Sequence, residues 1–265
     1  MGKELKRLKR RKSSQGKLDD IWEHSNSSLI VHYSCESFYD RDDGKTPRVT
    51  SIAVRNLASG QTESFSIHKV AEQKKLPFDE IDENYDELER EMLGEYFEFV
   101  RSHQHFNWVH WNMRDINYGF AALEHRFRVL GGEPIIIAED RKFDLARAMV
   151  SIYGLGYIGH PRLQKLIEKN KITDKGFLSG KEEADAFEQK DYIKLHQSTL
   201  RKADILANIF ERTADGSIKT NSSWFEQYGV HPKILVEIVR DHWLWSLAVM
   251  VAIGVGLISR AAELF

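Results

Sequence analysis

A single cysteine, Cys35, occurs among the 265 residues, so no internal disulfide staples the fold and the chain suits a reducing compartment. Prolines number five, and no segment is repeated or low in complexity, which argues against repeat architectures. There is no Gly-rich phosphate loop and no nucleophile elbow, so the sequence offers neither a P-loop nor a Gly-x-Ser-x-Gly hydrolase site. The basic start is not followed by an apolar h-region, and no signal peptide is expected. His103, His105 and His110 are joined by no cysteine and no second cluster, so they do not read as a zinc site.

What is present is an ordinary globular composition, 42% hydrophobic and 29% charged, with enough length for one large domain or two small ones. The net charge of -2 hides an uneven distribution. Lys3, Lys6, Arg7, Lys9, Arg10, Arg11, Lys12 and Lys17 crowd the start, with Glu4 the only acid among them. This arm reads either as a solvated tail or as a contact with an anionic surface, lipid or nucleic acid. Ser13-Ser14-Gln15-Gly16 reads as a breaker within it.

Ser28 to Ser37 opens the folded part: a buried strand, rich in β-branched and aromatic residues, that delivers Glu36 at its C-terminal edge. Residues 48–56 and 61–68 alternate like a hairpin around Ser59-Gly60. Residues 86–103 carry Leu88, Met92, Tyr96 and Val100 at helical spacing. A strand at 107–111, a helix over 116–130, a strand at 134–138, a helix over 143–153, a helix opened by Pro161 and a long helical region over 182–212 follow. Three meandering strands followed by α/β alternation are the order of an α/β, ribonuclease H-like mixed sheet with helices on both faces. The expected division is a basic flexible arm (1–17), that domain (18–213), a linker (214–231), and a stalk with a C-terminal transmembrane helix (232–265).

The first strand reads Ser34-Cys35-Glu36-Ser37, the fourth is followed by His110-Trp111-Asn112-Met113-Arg114-Asp115, and a late helix holds His196-Gln197-Ser198-Thr199-Leu200-Arg201. In order and spacing these segments resemble the DEDDh family of 3′-to-5′ exonucleases, whose corresponding motifs are Asp-x-Glu-Thr, His-Asn-x-x-Phe-Asp and His-x-Ala-x-x-Asp. The segments 143–147 and 182–187 also fit, and the resemblance spans residues 28–212. It implies Glu36 and Asp115 as ligands of Mg²⁺ or Mn²⁺, His196 as the residue that positions water, and two-metal phosphodiester hydrolysis. Two departures weaken catalysis. Ser34 stands where the family has its first aspartate, and Arg201 where it has its last, bringing a charge that cannot be titrated away. Asp204, or Asp40, Asp42 and Asp43 in the loop, are the available substitutes. The alternative is an inactive cleft in which Glu36 or Asp115 pairs with Arg201. Trp108 and Trp111 could stack bases or fill the core.

Trp243-Leu244-Trp245 opens an apolar run that reaches Ser259 without a charged residue. About seventeen residues rise about 26 Å, enough for a thin bilayer. Ala248, Ala252 and Gly256 form a small-residue stripe suited to a homo-oligomer. The combined expectation is a single-pass, C-terminally anchored membrane protein with a cytoplasmic, exonuclease-like domain that binds nucleic acid or nucleotide, its hydrolysis weakened or lost. The rival expectation is an oligomerising membrane effector of a bacterial immune or stress system, with the domain as sensor.

Overall fold

The computed structural model describes residues 3–36, 46–115, 117–223 and, in the tail, 247, 249–251 and 253. Among them, β1 (Ser28–Cys35), β2 (Val49–Asn56), β3 (Thr62–Ser66), β4 (Asn107–His110) and β5 (Lys142–Asp144) form one mixed sheet, in the order β3-β2-β1-β4-β5. β1 pairs antiparallel with β2 and β2 with β3, whereas β4 and β5 run parallel to β1. The hairpin expected from alternation is β2–β3.

β1 is central and buried along its whole length, which is why it reads as a continuous apolar run rather than an alternating one. Leu29, Val31, Tyr33 and Cys35 enter one core with α2 (Ile67–Gln73), α3 (Tyr85–Ser102) and α4 (Phe120–Val129). Ile30 enters the other, with α1 (Lys3–Glu23), α5 (Leu145–Tyr153), α6 (Arg162–Asn170) and α8 (Tyr192–Ala214). Helices therefore cover both faces. α7 (Gly180–Glu188) starts on a capping box in which Ser179 and Glu182 satisfy each other's backbone amides. α4 is pinned to α3 by Arg126, whose Nε and one Nη lie 3.0 and 2.6 Å from the two carboxylate oxygens of Glu89. The same carboxylate takes the Val49 amide at 2.7 Å, so one buried acid joins two helices and a strand.

Three local expectations need correction. The Ser13–Gly16 breaker does not break: α1 is continuous from Lys3 to Glu23. The helix packs along α5 and against α8, with Leu18 and Ile21 in the core, and this packing overrides a glycine cost of about 1 kcal/mol. Residues 134–138 are not a strand. Pro134 lacks a ladder donor, Ile136 is 60% exposed and Ile137 is buried, so the run straps over the first core, and the fifth strand is instead Lys142–Asp144. The long helical region divides at Lys190, whose φ is 59°, and Asp191 caps α8 through the Lys194 amide at 3.1 Å.

In the tail, Leu247, Val249, Met250, Val251 and Ile253 are helical and exposed. No helix among the described residues is long and apolar enough to cross a membrane. Most of the run from Trp243 to Ser259, and the whole Ala248, Ala252, Gly256 stripe, lie outside the described residues, as do Asp40, Asp42 and Asp43.

Candidate functional site

The residues expected to gather around metal are found in separate surroundings. Glu36 follows β1 and accepts the Arg48 amide at 3.3 Å. Asp115 lies in the turn after β4 and accepts the Asn117 amide at 2.9 Å, a local turn contact on an exposed side chain. His196 packs beside His68, their ring centroids 5.1 Å apart. His68 follows β3, three strand positions from β4 in the sheet, or about 14 Å. Asp204 pairs with Arg55 at 3.1 Å. Arg55 is opposite Ile30, six residues before Glu36, or about 20 Å of strand. Arg201 does not meet Glu36 or Asp115 as the inactive-cleft alternative expected. It donates to the Thr173 carbonyl and lies 3.9 Å from Asp204. Trp108 is fully buried in the first core, and Trp111 packs partly buried against the second.

Ser34, where the resemblance would place an aspartate, sits in a buried polar network. Its hydroxyl donates to Glu183 at 2.8 Å and accepts from Thr199 at 2.8 Å. Ser198 donates to the same Glu183 oxygen at 3.1 Å, and Ser51 lies 2.7 Å from Thr199. The Lys202 ammonium is 2.7 Å from the other Glu183 oxygen, and both side chains are buried. Burial holds the Lys202 pKa below its ordinary value, against the pull of Glu183. His32, on the same face of β1 as Ser34, has its pKa driven well down, first by burial and then by Lys202. A carboxylate is thus neutralised internally by an ammonium and two hydroxyls, in a place closed to solvent. Two hard divalent ions need several carboxylates converging on open space. Among the described residues no group of three or more His, Cys, Asp or Glu side chains is placed to hold a metal. Among the described residues, these side chains do not fit a Mg²⁺ or Mn²⁺ pair.

The feature with chemical potential lies at the C-terminal ends of β4 and β5, the usual side for a ligand in an open α/β sheet. It is a cleft of about 820 Å³ between α1, α4, α5 and the two strand ends. Among the described residues, Lys9, Arg10, Lys17, Arg114, Lys142 and Arg147 line it, against Glu139 and Asp144 as acids. The two acids are already engaged, Asp144 with Arg114 and Glu139 with Lys142. Lys9, Arg10, Ser13, Ser14 and Lys17 all face the cleft because residues three and four apart share a helix face.

His110 forms part of the floor. Its pKa is pushed down to about 4, chiefly by burial, with Asp144 pulling the other way, so the ring is neutral near pH 7. Nδ1 accepts the Met113 amide at 3.1 Å, which leaves the proton on Nε2. Gly119 caps α4 without a side-chain contact. A Cβ there would sit 2.7 Å from the Met113 carbonyl carbon and oxygen, so only glycine permits this tight turn. The turn is held to β1 by the Gly119 amide donating to Tyr33 Oη at 2.8 Å, and by Tyr118 Oη donating to the Tyr33 carbonyl at 3.1 Å.

The sequence singles out His110 and the basic arm, and no local pattern joins them into one cleft. It passes over Lys142, Arg147, Glu183 and Lys202 as functional residues. A signal for Lys202 was present: Leu195, Ser198, Thr199, Lys202 and Leu206 recur at one helical stripe, which turns Lys202 inward and Arg201 aside. Set against family models, curated proteins and solved structures, the chain matches none of them.

Proposed function

We propose that the chain binds nucleic acid or nucleotide through its phosphates, in the cationic cleft and without hydrolysis, and that its apolar tail holds it at a membrane. The sheet order, with an antiparallel β1–β3 and parallel β4 and β5, is compatible with a ribonuclease H-like fold whose metal chemistry has lapsed. The observation that carries the binding reading is the imbalance, among the described residues lining the cleft, of six basic side chains to two acids. Lys9, Arg10, Lys17 and Arg147 have no ion-pair partner among the described residues, so their charge is available to a ligand. A volume of about 820 Å³ lies within the range of small-ligand sites and admits a nucleotide or a short piece of single strand.

Fluorescence anisotropy with labelled single-stranded DNA, single-stranded RNA and ATP tests this. Binding should weaken as salt rises, with log K falling linearly in log salt for the strands. Arg10→Glu with Arg147→Glu should weaken binding at least tenfold while circular dichroism stays unchanged. Equal binding by that variant refutes the cleft. Mn²⁺-dependent cleavage lost in Glu36→Ala with Asp115→Ala would reinstate the nuclease.

The exposed apolar residues Leu247, Met250, Val251 and Ile253 favour a second reading, the oligomerising membrane effector. Toxicity on overexpression that requires residues 249–258, and survives Arg10→Glu with Arg147→Glu, would select it.

A further inference from the structure

Away from the cleft, His68 and His196 form a pair whose geometry is unexplained by packing alone. His68 is the second residue of α2 and His196 the fifth of α8. Their ring centroids are 5.1 Å apart and their planes 53° apart. The residues are 7% and 6% exposed. His68 Nδ1 and His196 Nε2 are both buried and have no hydrogen-bond partner. A buried polar atom without a partner is uncommon and points to a water or an ion. Here two such atoms occur on neighbouring rings.

The spacing suits one kind of occupant. A divalent zinc-class ion binds imidazole nitrogen at about 2.0–2.1 Å, and the ring centre lies about 1.2 Å further back. Two imidazoles on one tetrahedral ion therefore place their centroids about 5.2 Å apart, against 5.1 Å observed. Burial lowers both histidines' pKa values, so the rings are neutral, as metal ligation requires. The charged groups acting on them are Lys69, which opposes a cation, and Glu72, which favours one beside His68.

We propose that His68 and His196 jointly ligate a first-row divalent transition-metal ion of the zinc class. Imidazole suits zinc, copper and nickel, whereas Mg²⁺ and Ca²⁺ prefer oxygen ligands. No third His, Cys, Asp or Glu completes a ready-made group among the described residues, so water or a bound anion fills the remaining positions. The site is independent of the anion cleft, being built on the β3 side of the sheet.

Titration of the full chain with Co²⁺, followed by visible absorption, and with Zn²⁺ by calorimetry tests this. One equivalent per chain is expected. His68→Gln and His196→Gln should each weaken binding at least tenfold, with the wild-type circular dichroism spectrum retained. Gln keeps polarity and approximate size, and a variant that fails to fold is replaced by His68→Asn or His196→Asn. No binding by the wild type, or undiminished binding by folded variants at both positions, overturns the proposal. Anisotropy with single-stranded DNA should be unaffected in these variants, which separates this site from the cleft.

Discussion

Replacing Lys202 with methionine keeps most of the side-chain volume and removes the charge that neutralises Glu183. The carboxylate would keep the Ser34 and Ser198 hydroxyls, at 2.8 and 3.1 Å, and lose the ammonium at 2.7 Å. Breaking a buried pair by removing one partner costs about 3–5 kcal/mol, because the other charge stays buried. For a chain of this size the midpoint of thermal unfolding should fall by about 6–20 °C. Urea unfolding at pH 7, with Lys202→Met compared in the wild-type and Glu183→Gln backgrounds, is the assay. A loss below about 1 kcal/mol, or an equal loss in both backgrounds, would refute the reasoning.

Gly16→Ala should raise stability by about 0.5–1 kcal/mol, since a Cβ there meets nothing within 4 Å. No change in the urea midpoint would mean that α1 is not helical through residue 16. Acid should destabilise the protein below pH 6.5, down to about 4, through His110. Its folded pKa of about 4 lies below the ordinary 6.5, so the unfolded chain takes the proton first and stability falls as pH falls through that window. The slope is up to about 1.4 kcal/mol per pH unit, and His110→Phe should flatten it in a pH series of urea midpoints.

Much of the sheet could be read from local pattern. β1 is apolar because both its faces are covered, β2 and β3 alternate, and α3 repeats Leu88, Met92, Tyr96 and Val100 at helical spacing. The buried network around Glu183 could not be read in the same way, because its contacts join distant parts of the chain. Ser34 and Glu183 are 149 residues apart and Ser34 and Thr199 are 165 apart, and no window contains either pair. Family-like spacing draws attention to Glu36, Asp115 and His196, while tertiary packing sets Ser34 against Glu183, a carboxylate paired with Lys202. The fifth strand is hidden for a related reason: 134–138 has strand composition, but Pro134 and the exposed Ile136 suit a strap better than a ladder.

The continuous first helix has a practical consequence for anyone preparing this protein. Its basic side chains are held at fixed positions by the packing of Leu18 and Ile21. Removing the early residues as a dispensable tail would take away one bank of the cleft. The proposed anion binding is therefore best measured with this helix intact. A carboxyl-terminal tag would leave this bank untouched.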